Sequence, residues 1–249
     1  GDESDLDANP DPKHLAWYQA AVGCCMYAMI WTKPESCYCL NVLTRYMTKP
    51  GPRLLKQAKK CMLYMKRARA LGVRFTRHDG KRHGINTLST YVDSSDADCR
   101  ITRRSTGGFV CFFNSAPASF RSALQRLATL SSCESELVQL SMSLQEVLHI
   151  REMLECLGFK QGPTPIFEDN QATIRIAESP GSSRSKTKHL GRRFAFVSEA
   201  IERKEVVVLY VPSADNIADI FTKPLAHELF VKLRRLLLNY DDHMAEAGR

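Results

Sequence analysis

The feature that most constrains this 249-residue chain is a change of hydrophobic period at Gly84. Downstream of it, Thr87–Asp93, Gly107–Phe113 and Ala116–Arg121 read as three successive strands. Asn114-Ser115 forms a tight turn between the second and third, so the three make an antiparallel meander. A long helix follows over Ser132–Leu157, with Leu137, Leu140, Leu144, Val147, Leu148, Leu154 and Leu157 mostly at helical spacing. Ser131 and Glu134 form a capping-box pattern at its start, and Gly158 ends it. Next come a strand at Thr164–Glu168, helices at Asn170–Glu178 and Thr187–Arg203, and a strand at Glu205–Val211. A helix opens at Ser213–Phe221 and is broken by Pro224, and Leu225–Tyr240 is the last amphipathic helix. Three antiparallel strands followed by α/β units predict an α/β fold, a mixed five-stranded sheet with helices on both faces.

Upstream of Gly84 the periodicity is helical. Helices are expected at His14–Tyr27, Glu35–Met47 and Leu54–Leu71, with Thr48-Lys-Pro-Gly-Pro52 as a break. Residues 1–12 are acidic, contain two prolines and are expected to be a disordered tail. The formal charge of +8 lies in this first part of the chain. Residues 1–83 hold 15 Lys/Arg and 7 Asp/Glu, whereas residues 84–249 hold 20 of each. Between 43 and 82 there are 13 basic residues and a single acid, Asp79. On the third helix Lys56, Lys59 and Lys60 share a polar face nearly free of acids, which suits a phosphate backbone.

Several classes are excluded or disfavoured. No apolar run approaches the ~20 residues of a membrane span. The acidic N-terminus resembles neither a signal nor a transit peptide, and its start without Met leads us to expect a piece of a longer chain. Nine cysteines without a zinc spacing read as free thiols in a reducing compartment. No Ser-His-Asp or Cys-His pattern offers a nucleophile.

Four acids fall at strand ends or helix starts, where α/β sheets place ligands. They are Asp93, Glu136, Asp169 and Asp219. Each alone has an ordinary structural use: a turn acid, a helix-start acid or a helix-dipole partner. Glu134 is absorbed by the cap, which leaves Glu136 unexplained by capping. Converging carboxylates repel one another unless cations compensate, and two Mg²⁺ ions, or Mn²⁺ in their place, would do so. Such a pair activates a water on one side of a phosphodiester and stabilises the leaving oxygen on the other.

At these residues the chain resembles the ribonuclease H region of copia-type LTR retrotransposon Pol polyproteins, together with the tail of the preceding reverse transcriptase. The resemblance covers roughly residues 14–240. It is carried by Tyr91-Val-Asp93, Arg103-Arg-Ser-Thr-Gly-Gly-Phe109, Leu130-Ser-Ser-Cys-Glu-Ser-Glu-Leu137, Glu168-Asp-Asn-Gln-Ala172, Ser185-Lys-Thr-Lys-His189 and Ala214-Asp-Asn-Ile-Ala-Asp-Ile-Phe-Thr-Lys-Pro-Leu225. Upstream, Thr32-Lys-Pro34, Asn41-Val-Leu-Thr-Arg45 and Lys59-Lys-Cys-Met-Leu-Tyr64 match as well. The resemblance implies a ribonuclease H-like fold that cleaves the RNA strand of RNA–DNA hybrids during reverse transcription. It places the four family acids on Asp93, Glu136, Asp169 and Asp219, as catalytic and metal-binding residues.

It also implies a division of the chain into a tail (1–12), a basic helical connection segment (13–83), a ribonuclease H-like domain (84–225), and a C-terminal helix and tail (226–249). The implied partners are the hybrid and the reverse-transcriptase portion of the same polyprotein, with no membrane and no small-molecule cofactor. The implied location is a cytoplasmic particle or the nucleus. Three positions depart from the family: Cys99 or a neighbour stands where a Trp is usual, Gly191 replaces an acid, and Phe194-Ala195 replaces an aromatic-His pair. No YxDD polymerase motif is present.

A hybrid is read through its shape and its 2′-hydroxyls. Candidates for contact with it are Arg103, Arg104, Arg121, Asn170, Gln171, Arg184, Lys186, Lys188 and His189, with Lys56, Lys59 and Lys60 upstream. The competing reading is a catalytically inactive or domesticated nucleic-acid-binding module. A third, an integrase or transposase of the same fold, would use three acids.

Overall fold

A computed structural model describes residues 6–75, 84–96, 99, 101–129, 131–178 and 191–240. Five strands form one sheet in the order β3-β2-β1-β4-β5: β1 (Leu88–Ser95), β2 (Thr106–Phe113), β3 (Ala116–Leu124), β4 (Thr164–Glu168) and β5 (Val206–Tyr210). β1, β2 and β3 are antiparallel neighbours, while β4 runs parallel to both β1 and β5. Asn114 and Ser115 both have positive φ, the primed turn whose twist suits a two-residue hairpin. The order and senses are those of the ribonuclease H-like fold.

Helices cover both faces of the sheet. Against one face pack α4 (Ser132–Cys156), α5 (Gln171–Glu178) and α6 (Gly191–Glu202), which bury Leu140, Leu144, Ile174 and Val197 on Val92, Cys111, Ile166 and Val208. Ser131 accepts the Glu134 amide at 3.2 Å, so the cap expected for α4 is present. The other face, with Tyr91, Val110 and Phe112, is closed by Ile217, Ile220 and Phe221 and by α7 (His227–Leu238). Leu233 and Leu237 of α7 are fully buried there, so this C-terminal helix belongs to the main core.

The N-terminal helices are α1 (Pro12–Thr32), α2 (Cys37–Thr44) and α3 (Pro52–Arg67). Pro12 and Pro52 sit in their first turns, where a missing N–H costs nothing. The three share a core of Tyr18, Val22, Leu40, Leu43 and Leu54. They are seated on the sheet: Asn41 donates to Ser122 Oγ at 2.9 Å, Arg45 to Thr106 Oγ1 at 3.1 Å, and Cys37 enters the Tyr91–Phe112 core.

Several expectations need correction. The segment Ser213–Phe221 is two 3-10 turns, Ser213–Asp215 and Ile217–Phe221, and not the start of an α-helix. Asn216 lies between them with its side chain accepting the Ala218 amide, which caps a new turn instead of continuing the old one. Asp93 does not end its strand, because β1 runs on to Ser95 opposite Thr106. α1 runs to Thr32, and the segment 35–47 divides into a 3-10 turn at Pro34–Ser36 and the short α2. α3 stops at Arg67, short of Leu71. Within the tail, Leu6 pairs with Pro50 and the Asp7 amide donates to Lys49 O at 3.3 Å. The beginning of the helix expected from Thr187 lies outside the described residues; α6 starts at Gly191.

Candidate active site

Adjacent parallel strands bring their carboxyl ends side by side, and two acids stand there. Asp93 is near the end of β1, and Asp169 directly follows β4. Glu136 reaches them from the second turn of α4. One carboxylate oxygen from each lies within 4.8 Å of the others. Asp93 and Glu136 are buried, and Asp169 is half-buried.

Asp219 stands beside Asp93 on the 3-10 turn Ile217–Phe221, and is itself buried. Asn216 holds that turn to the sheet: its Nδ2 donates to Val92 O at 2.9 Å, one residue before Asp93. Gly108 lets the turn close. It pairs with Asp93 across the β1–β2 ladder, and a Cβ there would meet Phe221 Cβ at 2.5 Å. The four expected acids are thus assembled by two parallel strand ends, one helix and one capped turn.

Three further residues enter the cluster that the sequence reading did not single out. Lys223 Nζ lies 2.7 Å from Asp219 Oδ1 and 3.7 Å from Asp93 Oδ2. Thr222 Oγ1 donates to Asp93 Oδ2. Glu168, the last residue of β4, is fully buried beside Asp169. Alternation was the available signal for Glu168: Thr164, Ile166 and Glu168 share the inward face of the strand. For Lys223 it was the four-residue spacing from Asp219.

Burial sets the protonation of this cluster. It raises Glu136 well above the usual carboxylate range, and neighbouring Glu168, Asp93 and Asp169 raise it further. Burial also lifts Glu168 to about 8 and Asp219 to about 7. Asp93 is raised mainly by burial, against the opposing pull of Lys223 and Thr222. Lys223 is held above its ordinary value because Asp93 and Asp219 outweigh its own burial. Among the described residues, Glu136 Oε2 and Glu168 Oε2 are buried without a hydrogen-bond partner. Crowded carboxylates with free inward oxygens are a hard-ligand set that suits Mg²⁺ or Mn²⁺.

The expected nucleic-acid contacts fall in different settings. Arg103, Arg104 and Arg121 are exposed, the first two ahead of β2 and the third on β3. Asn170 is occupied locally, because its Oδ1 accepts the Ala172 and Thr173 amides and caps α5. Gln171 is exposed and accepts from Arg175 at 3.4 Å. Arg184, Lys186, Lys188 and His189 lie outside the described residues. Lys56, Lys59 and Lys60 are exposed along α3, with Lys59 Nζ 5.5 Å from the centre of the Trp17 ring. Lys60 and Lys223 stand on the walls of one cleft of about 580 Å³, which also includes Arg45, Arg53 and Tyr64. This cleft joins the basic helical segment to the edge of the acidic cluster.

No family model matches the chain. The retrovirus-related Pol polyprotein from transposon TNT 1-94 of Nicotiana tabacum is 26% identical over 220 residues, 88% of this chain and 16% of that protein. The secreted RxLR effector protein 161 of Plasmopara viticola is 34% identical over 131 residues, 53% of this chain and 89% of that protein. Among solved structures, a ribonuclease H1 isolated from compost aligns with a TM-score of 0.42 and 17% identity, over 59% of this chain and 98% of its own. The chain spans 14–16% of the curated transposon polyproteins it matches. Over 86–91% of its length the chain is similar to retrovirus-related Pol polyproteins of plant transposons.

Proposed function

We propose that this chain is a metal-dependent endoribonuclease that hydrolyses the RNA strand of RNA–DNA hybrids during retrotransposon reverse transcription. The observation that carries this reading is the convergence of Asp93, Glu136 and Asp169, with oxygens within 4.8 Å of one another at the carboxyl ends of β1 and β4. Asp93, Glu136, Asp169 and Asp219 would hold Mg²⁺, with Asp93 central to the set. When bound, the metal would supply an activated water and charge stabilisation at the phosphate.

The chain's own residues do the rest. Asn216 and Gly108 hold the Asp219 turn against β1 and fix the spacing of the acids. Lys223 neutralises part of the cluster when no metal is there. Arg103, Arg104 and Arg121 lie on exposed surface and would carry phosphate contacts, as would Lys56 and Lys60 on α3. Lys59 contributes less, because its ammonium already lies over Trp17.

The test is incubation of the chain with an end-labelled RNA–DNA hybrid, with Mg²⁺ and with a chelator. Internal cuts in the RNA strand that need the metal support the reading. Equal cutting of duplex RNA, or cutting that persists in the chelator, contradicts it. Tight hybrid binding without cuts in either Mg²⁺ or Mn²⁺ would favour the inactive binding module.

A further inference from the structure

The first helix carries a surface that the acidic cluster does not use. From Leu15 to Thr32, α1 has no charged residue. A helix apolar all round is ordinarily buried on every side. α1 is not: its core face is Tyr18, Ala21, Val22 and Cys25, and the opposite face is open to solvent. On that open face Tyr27 is 71%, Ile30 56% and Trp31 67% exposed, and the Tyr27 and Trp31 rings lie 6.4 Å apart. Gln19, at the edge of the face, is turned to its own segment and donates to Met47 O at 2.9 Å. The open positions step by four and three through Ala16, Ala20, Gly23, Tyr27 and Ile30, which is the spacing of a seam between two helices. A glycine inside a helix is destabilising, yet a Cβ on Gly23 would meet nothing within 4 Å. No contact within the chain calls for glycine there, whereas a close neighbour outside it does.

We propose that the outer face of α1 is a self-association surface, on which a second copy of this chain lays its own α1 antiparallel about a two-fold axis between Gly23 and Cys24. The face selects a second copy because it fits itself. Its small residues, Ala16 and Ala20, stand toward the N-terminal end, and its large ones, Tyr27 and Trp31, toward the C-terminal end. Antiparallel pairing about that axis sets Tyr27 of each copy on Ala20 of the other and Trp31 on Ala16, with Gly23 at the crossing where the helices come closest. A parallel pair would set ring against ring and leave the alanines facing one another across a gap. Charge points the same way. α1 has no basic residue in its last turn, and antiparallel packing brings the exposed Lys13 of one copy to the carbonyl end of the other. Lys33, just beyond that end, is buried and gives its ammonium to Ala68 O and Leu71 O. The exposed face of α3, by contrast, carries Lys56, Lys59 and Lys60 and would repel a copy of itself. The exposed parts of the four aromatic rings, with the surface they cover, come to roughly 800–1,300 Å², at the lower bound of specific interfaces, so the pair should be reversible. This proposal stands apart from the nuclease reading and takes no residue from the acidic cluster.

The test is sedimentation velocity of the full chain across ~1–300 μM, with its thiols kept reduced. The expected mass rises from one chain toward two. The mass of a single chain at every concentration would overturn the proposal, and the face would then belong to a different partner. Tyr27→Asp combined with Trp31→Asp changes exposed side chains only, and should raise the dissociation constant at least about tenfold with an unchanged melting temperature. An unchanged constant would place the contact on another surface and overturn the proposal. Ala20→Leu separates packing from general stickiness. A larger apolar side chain strengthens a nonspecific contact, but here it collides with Tyr27 of the other copy, so the pair should weaken; tighter association would contradict the antiparallel fit. Cys24, an exposed thiol beside the axis, reads the orientation. A short bismaleimide should join Cys24 of one copy to Cys24 of the other, and the Tyr27–Trp31 variant should lose that product. Cross-links confined to the exposed Cys39 and Cys156 would overturn the two-fold.

Discussion

Lys223 Nζ sits 2.7 Å from Asp219 Oδ1 and 3.7 Å from Asp93 Oδ2, so the chain places its own cation among its clustered carboxylates. An ammonium there offsets repulsion between the carboxylates, and it would compete with a metal ion for the same oxygens. Lys223→Met should therefore tighten Mg²⁺ or Mn²⁺ binding. A partly exposed pair of this kind contributes roughly 1 kcal/mol, which corresponds to about fivefold in affinity. The same change should lower the melting temperature of the chelated protein at pH 8. Calorimetric titration and thermal melts read the two effects, which have opposite directions.

The raised carboxyl groups give the metal-free protein a definite pH dependence. Glu168 is pushed up to about 8 and Asp219 to about 7, against ~4 for unfolded carboxyls. Between those values the folded state binds more protons than the unfolded state, so stability falls as pH rises. This contribution is complete below about pH 4 and is lost as pH climbs through 7 and 8. In the presence of a chelator, melts from pH 5 to 8.5 should show a falling melting temperature. Mg²⁺ should recover most of the loss at the alkaline end, because binding replaces the protons with a cation.

Gly108 and Asn216 position the site without touching its reacting atoms. Gly108→Ala drives a Cβ to within 2.5 Å of Phe221 Cβ and 2.9 Å of Thr222 Cγ2, so the turn that carries Asp219 must move off β2. The expected cost is about 1–3 kcal/mol of stability. Asn216→Ala removes both the bond to Val92 O and the cap on Ala218, with a cost of about 1–3 kcal/mol for the buried groups left unpaired. Denaturant melts check both figures. In each variant the loss of nuclease activity should exceed what the fraction unfolded explains.

The basic helix makes a prediction about salt. If Lys56, Lys59 and Lys60 track a phosphate backbone, replacing all three with Ala should reduce the slope of log affinity against log salt by up to about 3. Lys59 should account for the smallest share, because it is stacked on Trp17. Hybrid binding by fluorescence anisotropy at several salt concentrations measures this. An unchanged slope would place the hybrid elsewhere on the surface.

The run of strands and helices along the chain, and the presence of acids at element ends, were legible because they rest on local patterns: period-two runs, a capping box, and carboxylates beside strands and helix starts. The Asp219 turn was misread as an α-helix because its composition is helical. What decides its form is tertiary: Asn216 spends its amide on Val92 of a strand 124 residues away. Lys223 and Glu168 were hidden for a related reason. A lysine beside a proline reads as surface until the folded turn sets it against Asp219 and Asp93, and a strand-end glutamate reads as solvated until β4 is paired on both edges, with β1 and β5. Asn170 also has a structural use that its motif did not show, since its Oδ1 accepts the Ala172 and Thr173 amides and caps α5.

The central claim is that the Asp93–Glu136–Asp169 cluster holds the metal that hydrolyses RNA in a hybrid. The most direct measurement is the rate of RNA-strand cleavage in a labelled RNA–DNA hybrid across a Mg²⁺ titration, for the parent chain beside Asp93→Asn and Asp169→Asn. We predict metal-dependent cleavage by the parent and a loss of at least about a thousandfold in both variants, with melting temperatures in chelator no lower than the parent's, since each substitution removes a repelling charge. Cleavage by either variant at the parent's rate would contradict the assignment.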